Sequence, residues 1–160
     1  MGKTIMASAP RGGLRFGLRL PIWLYRAHLG WLLGERFLLL NHAGRKSGRI
    51  HQSVIEVVKH DPASDAYFVV SGWGSRSDWY QNIHQTPDAT VWVGRRKLAV
   101  RAEDVPESTA VDILEEYTRR YPMAFKELTG LFLGERLQPG REASQRLAEK
   151  MPMVVFRPRR

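Results

Sequence analysis

Short apolar runs, separated by turn-forming residues, occupy the middle of the chain and recur at its C-terminal end. We predict strands over residues 37–41, 53–59, 66–71, 90–93, 97–105 and 153–156. Gly- and Asp-rich turns separate several of them, such as the turn around Gly94. Because strands joined by short turns pair antiparallel, this pattern predicts a small antiparallel barrel and not a parallel doubly wound sheet.

Helical patterns lie before, between and after these strands. We predict helices over residues 22–33, 77–85, 107–120, 122–133 and 141–150. Ser77 or Asp78 is a suitable N-terminal cap for the second helix. The third helix places Val111, Leu114 and Tyr117 on one apolar face. The fold class is therefore α+β, with one N-terminal helix and several C-terminal helices around the barrel.

Length and composition narrow the classes of protein further. A chain of 160 residues predicts one domain, here residues 21–160, preceded by a basic flexible arm over residues 1–20. The chain has no cysteine, which excludes disulfides and thiolate chemistry. Its five histidines lack metal-ligand spacing, so no metal site is predicted. No apolar run approaches the ~20 residues of a spanning helix, and arginines interrupt the N-terminal apolar stretch, so we expect a cytoplasmic protein.

Charge is concentrated in the first third of the chain. Residues 1–49 carry a net charge of +8 out of the total of +9. This asymmetry indicates an anionic partner, such as a phosphorylated cofactor, an anionic membrane or nucleic acid. Arginines and aromatic residues over residues 11–33 suit an anionic membrane surface, although a helix packed on the barrel explains them equally simply. Nucleic acid is not expected, because no aromatic residues are interleaved with the basic turn.

The strongest local signal is a basic turn between two predicted strands, Gly44-Arg45-Lys46-Ser47-Gly48-Arg49. Its glycines permit backbone N–H groups to converge, and its cations suit phosphate or carboxylate groups. The plainer alternative is a solvated basic turn. The turn is not a nucleotide-binding P-loop, because an arginine stands directly before the lysine where that motif requires glycine.

A second candidate segment follows the third predicted strand, Ser71-Gly72-Trp73-Gly74. Two glycines allow close approach to a flat ligand, a tryptophan can cover a ring, and a serine can bond to a ring heteroatom. The helix that follows contains Trp79 and Asn82 and adds N–H donors at its start. The alternative is an ordinary loop followed by a helix packed in the core.

Three motifs in this order resemble the deazaflavin-dependent nitroreductase family, whose fold is the FMN-binding type of split β-barrel. The motifs are the Gly-Arg-Lys-Ser-Gly turn, the Ser-Gly-Trp-Gly loop, and Trp79-Tyr80-Gln81-Asn82-Ile83. The similarity covers roughly residues 37–105 and resumes at 121–122 and 151–158. It implies an oxidoreductase that transfers a hydride from reduced coenzyme F-420 to an unsaturated, quinone-like or nitro-type substrate.

The resemblance also implies roles for individual residues. It assigns cofactor contacts to Arg45, Lys46, Ser47, Gly48, Arg49, Ser53, Val54, Ile55, Ser71, Gly72, Trp73, Gly74, Trp79 and Asn82. The catalytic candidates are Ser71, as a donor to developing negative charge, and Tyr121, on the substrate side. Alternatives are a split-barrel enzyme that uses FMN and a non-catalytic basic module that binds membranes; a homodimer is left open.

Overall fold

The computed structural model describes residues 35–72 and 74–159, so the predicted helix over 22–33, the basic arm and Trp73 lie outside the described residues. Six strands close into a barrel in the order β1-β2-β3-β6-β5-β4, and all of the pairs are antiparallel. The strands are β1 (Phe37–Ala43), β2 (Ile50–Asp61), β3 (Ala66–Val70), β4 (Asp88–Val93), β5 (Arg96–Asp104) and β6 (Met153–Pro158). The predicted antiparallel barrel is confirmed.

Strand β2 is longer than the sequence predicts, because it pairs with two neighbours in succession. Its first part, from Ile50 to Glu56, pairs with β1, and its last part pairs with β3. The register shifts between Val57 and Lys59, where the strand passes from one partner to the other. The prediction from apolar runs missed residues 50–52 because the start of β2 is mostly polar.

The barrel interior is one of two apolar cores among the described residues. Leu38 and Leu40 of β1 are fully buried there, since alternate residues of a strand face the same side. The first helix, α1 (Asp78–Gln85), covers one end of the barrel and adds Trp79 and Ile83 to this core. Each large side chain buried in this way contributes about 1.5 to 3 kcal/mol of transfer free energy.

The second core lies between the outer barrel surface and three C-terminal helices: α2 (Glu107–Arg120), α3 (Pro122–Leu133) and α4 (Arg141–Lys150). Val58 and Val70 from the strands meet Leu114 and Leu147 from the helices. The predicted apolar face of α2 is confirmed, because all three of its predicted residues are buried. Among the described helices, none combines the length and the apolar character that crossing a membrane requires.

The predicted N-cap position of α1 is confirmed at Ser77, but the expected side-chain capping bond is not formed. The Ser77 hydroxyl instead lies 2.8 Å from Ser71 Oγ. Asp78 is the first residue of the helix, and its carboxylate pairs with Arg45. Both polar groups therefore connect the start of α1 to neighbouring loops.

Candidate functional site

The basic turn (residues 44–49) connects β1 to β2 and is closed by its own backbone. Gly44 N donates to Arg49 O at 2.7 Å, and Gly48 N donates to Gly44 O at 2.8 Å. Gly48 has φ of 71°, a left-handed conformation that favours glycine. The Ser47 hydroxyl accepts from Arg49 N at 3.2 Å. This closure leaves the side chains of Lys46 and Arg49 exposed at the surface of the turn.

Gly44 is required by a close approach and not by its own backbone conformation. A Cβ atom at this position would lie 2.8 Å from His51 Nε2 and 3.0 Å from Ser47 Oγ. Real Cβ atoms do not approach polar atoms so closely, so any larger residue would displace the His51 ring or the turn. The first glycine of the motif thus lets the turn pack against β2.

The turn is attached to α1 through Asn82. Asn82 Oδ1 accepts from Arg45 N at 3.1 Å and from Arg45 Nη1 at 2.9 Å. Arg45 Nη2 also pairs with Asp78 at 3.2 Å, but the Asp78 side chain is 83% exposed, so that pair adds little stability. Asn82 is only 3% exposed. The amide of Asn82 is therefore the principal connection between the turn and the helix.

A buried histidine continues this connection into the barrel. Asn82 Nδ2 lies 2.9 Å from His42 Nδ1, and His42 Nε2 lies 3.1 Å from Ser53 Oγ. His42 is 2% exposed, and its ring lies beside that of His51 with 5.9 Å between centroids. Burial, and then the charge of His51, lowers the pKa of His42 from 6.5 to about 4. His42 is therefore neutral at pH 7.

The cations of this region differ in their partners. Arg45 has Asn82 and Asp78, whereas Lys46, Arg49 and Arg76 form no ion pair with any residue in 35–72 or 74–159. Arg76 stands in a short 3-10 turn, two residues before Asp78. Exposed cations match the chemistry of a phosphate and a carboxylate tail. The residues of the turn therefore fit the anionic part of a deazaflavin cofactor.

The loop after β3 is organised by Ser71. Its hydroxyl donates to Gly74 O at 2.6 Å, and Gly74 N returns a bond to Ser71 O at 3.0 Å. Ser71 is fully buried, and Gly74 has φ of 66°. The single hydroxyl proton of Ser71 is thus used within the loop. Gly72 is partly buried beside it, and Trp73 lies outside the described residues.

The predicted ring contacts on β2 point in two directions. Ser53 and Ile55 pair with Leu40 and Leu38, so they face the barrel interior, whereas Val54 faces outward. Ile55 is a buried core residue, which leaves only its backbone for a ligand. Trp79 is likewise a core residue of α1. Of the side chains in this group, only those of Ser53 and Val54 are partly exposed.

Tyr121 lies at a separate cavity of about 220 Å³ on the outer side of β2, together with Tyr117 and Arg36. The Arg36 guanidinium sits 5.2 Å from the centre of the Tyr121 ring. Tyr117 Oη donates to Glu56 Oε1 at 2.5 Å, and burial together with this bond raises the pKa of Tyr117. Glu56 follows Val54 on the outward face of β2.

Sequence reasoning missed His42 and His51. The available signal was alternation, because His42 continues the inward series of Leu38 and Leu40 and places a polar ring at a core position. A search limited to metal-ligand spacing overlooks a histidine of this kind. Within the described part of the chain, no group of three His, Asp or Glu residues is arranged to hold a metal ion.

Solved structures with the same fold include enzymes and flavin proteins. An F-420H2-dependent reductase (FDR-A) matches with a TM-score of 0.51 at 18% identity, over 77% of this chain and 95% of that chain. An FMN-binding protein related to pyridoxamine 5'-phosphate oxidase, from Nostoc punctiforme, matches with a TM-score of 0.52 at 15% identity, over 96% and 82% of the two chains. At such identities the likeness shows the fold, which is the FMN-binding split barrel.

Sequence comparison identifies the family. No curated protein matches the chain significantly. The family model described as F-420H(2)-dependent quinone reductase matches residues 18–129, which span the basic turn, the Ser71 loop, α1 and α2. This chain therefore belongs to the F-420H(2)-dependent quinone reductase family and is an F-420-dependent reductase with a split-barrel fold.

Proposed function

We propose that the basic turn binds the phosphate and glutamate tail of coenzyme F-420. The observation that carries this proposal is the attachment of the turn to α1 through Arg45 and Asn82, which leaves Lys46 and Arg49 exposed and without an ion pair among the described residues. A turn fixed in this way loses little conformational freedom when an anion binds, so most of the contact energy contributes to affinity.

The remaining residues of the proposed site hold the ring end of the cofactor. On β2, Ser53 and Val54 offer partly exposed side chains on opposite faces of the strand, so Ser53 is the side chain that we place against the ring, and the glycines of the Ser71 loop allow close backbone approach. Because the Ser71 hydroxyl already donates to Gly74 O, we propose that Ser71 shapes this loop and does not donate directly to the substrate. Reduced F-420 supplies the hydride, and the protein orients the cofactor and substrate.

Fluorescence titration with F-420 tests this proposal through the Lys46→Ala variant. Loss of a charge-assisted contact weakens binding by about 10- to 100-fold. Lys150→Ala is the matched control, because Lys150 is an exposed lysine at the end of α4, on a different part of the fold. FMN is the comparison ligand. Equal affinities of the two variants for F-420 would refute the role of the turn.

We further propose that the substrate is quinone-like and that Tyr121 lines its site. The family description supports the quinone class. The position of the cavity supports this role for Tyr121. Tyr117, which lines the same cavity, donates to Glu56, and Glu56 lies on the outward face of β2 together with Val54. The cavity is smaller than the ~300 to 1,000 Å³ of drug-sized sites, so it suits a single ring.

Reoxidation of reduced F-420 by a panel of quinones, enones and nitroaromatic compounds tests the substrate class. Tyr121→Ala is expected to raise KM for the preferred quinone, because it removes ring contact without touching the basic turn. Tyr80→Ala is the control for loss of an aromatic ring away from the cavity, since Tyr80 packs against His84 and the barrel core, and its thermal unfolding is measured alongside to show that the variant stays folded. Turnover of nitroaromatics alone would contradict the quinone assignment.

Membrane contact through residues 11–33 is a further part of the proposal and concerns residues outside the described range. The charge asymmetry of the chain supports it. Sedimentation with anionic vesicles, with and without residues 1–20, provides the test, and equal pelleting of both proteins would count against it. We also propose a cytoplasmic location and a homodimer. Sedimentation velocity measures the oligomeric state directly.

A further inference from the structure

The strongest feature that the proposed function does not use is the buried chain of hydrogen bonds Arg45–Asn82–His42–Ser53, which we name the His42 relay. It joins residues from the turn, α1, β1 and β2. Two of its four members, Asn82 and His42, are almost completely buried. Polar groups at such positions are costly unless their bonds are made, and here each of them has a partner.

The relay has a single consistent assignment of donors and acceptors. The backbone N–H of Arg45 can only donate, so the Asn82 atom 3.1 Å away is the oxygen. The other amide atom of Asn82 is then the nitrogen, which donates to His42 Nδ1 at 2.9 Å. A neutral imidazole that accepts at Nδ1 carries its proton on Nε2. His42 Nε2 therefore donates to Ser53 Oγ at 3.1 Å.

This assignment determines what the Ser53 hydroxyl can do. His42 occupies one acceptor site of the oxygen, so the Ser53 proton is turned away from His42. Among the described residues, the hydrogen bond to His42 is the one that the Ser53 side chain makes. Ser53 is partly exposed, so its proton is available to an outside acceptor. A hydroxyl oriented in this way is a directed hydrogen-bond donor.

We propose that His42 is a positioning residue, which holds the Ser53 hydroxyl as a donor to an acceptor atom of the bound deazaflavin ring and couples this contact to the basic turn through Asn82. The inference rests on the proposed placement of the cofactor beside the turn and β2. His42 itself touches no ligand. Its charged neighbours are His51 from β2, Asp78 from α1 and Arg45 from the turn.

The position of the relay explains why the coupling matters. The turn lies at one end of the β1–β2 hairpin, and Ser53 pairs with Leu40, two positions beyond the His42–His51 pair. Arg45 and Asn82 are bonded to each other through two hydrogen bonds, and Asn82 selects the His42 tautomer. The tail end and the ring end of the cofactor site are thus connected by three short hydrogen bonds.

The first test uses nitrogen-15 NMR of the free protein at pH 7. Long-range correlations within the His42 ring should show an unprotonated Nδ1 and a protonated Nε2. The low pKa of His42 keeps this pattern unchanged from pH 8 down to about pH 5. The opposite tautomer, or a rapidly exchanging mixture, would overturn the proposal whatever the variants below do.

The second test is a double-mutant cycle in F-420 binding. Ser53→Ala removes the donor and should weaken binding about three- to tenfold, as loss of one neutral hydrogen bond does. His42→Asn keeps an acceptor for Asn82 but does not reach Ser53, and it should cause a similar loss. The double variant should bind no more weakly than Ser53→Ala, because both changes remove the same contact. His84→Asn, on the far side of α1, should bind like the wild type.

The outcomes separate the two proposals. Additive losses from Ser53→Ala and His42→Asn would overturn the role of His42 while leaving the cofactor site intact. A wild-type protein that binds no F-420 would overturn the proposed site, and the role of Ser53 with it. Non-additive losses together with the Nε2–H tautomer support both.

Discussion

Removal of the Asn82 side chain tests the connection between the basic turn and α1. In Asn82→Ala, three hydrogen bonds are lost, two to Arg45 and one to His42. The Arg45 guanidinium keeps Asp78 and gains water, since its side chain is 25% exposed. The buried ring of His42 has no such replacement. At about 0.5 to 1.5 kcal/mol for each of the two bonds that water does not replace, those to Arg45 N and His42 Nδ1, the free energy of unfolding should fall by about 1 to 3 kcal/mol.

Urea denaturation followed by circular dichroism measures this loss, and Gln81→Ala is the matched control. Gln81 is the adjacent amide of the same helix, and its side chain makes one exposed bond, to Ser75 O at 3.1 Å. Alanine improves helix propensity in both variants, so that term largely cancels. We expect Gln81→Ala to change stability by less than about 0.5 kcal/mol, as exposed substitutions usually do.

The Asn82 amide is not the principal connection if the two variants unfold at the same urea concentration with the same slope. That result would mean that the turn is held by something other than the Asn82 amide. A larger loss, above about 4 kcal/mol, would also contradict the account, because it would indicate a collapse of the barrel end and not the removal of three hydrogen bonds.

Three further predictions follow from the described residues. Gly44→Ala should destabilise the fold by about 0.5 to 1.5 kcal/mol, because its Cβ would lie 2.8 Å from Nε2 of the exposed His51 ring, which must rotate away, and His51→Ala should remove most of that cost in a double variant measured by urea denaturation. The free energy of unfolding should fall by about 3 kcal/mol from pH 6.5 to pH 4 through His42 alone. The reason is that the pKa of His42 is lower in the folded protein, so the unfolded chain binds the proton more tightly. The difference between the pH profiles of the wild type and His42→Asn isolates the contribution of His42. Tyr117→Phe should cost about 1 to 2 kcal/mol in thermal or urea unfolding, because it removes the donor to Glu56 from a position that is 3% exposed, and an unchanged midpoint would contradict the importance of that bond.

The strands and half of their pairings were predictable because their determinants are local. The apolar runs of β1, β3 and β6 specify strands, and the short turns after β1, β2 and β4 make the pairs β1–β2, β2–β3 and β4–β5 antiparallel. The pairs β1–β4, β3–β6 and β5–β6, which close the barrel, join strands far apart in the chain. The predicted ends of β2 were less accurate because polar residues such as His51 lie within the ladder. Pairing with β1, which is a long-range interaction, determines where that strand begins.

The site was only partly predictable. The order of three motifs indicated the cofactor class, and the family match confirms it. The directions of individual side chains could not be read from the motifs, because Asn82 could face a ligand or the interior of the protein. Asn82 bonds to Arg45 and His42, which precede it in the chain by 37 and 40 positions, so these contacts depend on the tertiary fold. The same reasoning applies to Ser77, whose hydroxyl bonds to Ser71 and not to its own helix.

The proposed cofactor site depends on contact between the basic turn and the anionic end of F-420. The most direct test compares wild type and Lys46→Ala for two ligands: intact F-420, and the deazaflavin that lacks its phosphate and glutamate tail. We predict that Lys46→Ala weakens binding of intact F-420 by about 10- to 100-fold and changes binding of the truncated ligand by less than about twofold. Equal losses for both ligands would contradict the claim, because Lys46 would then act on the ring or on the fold and not on the tail.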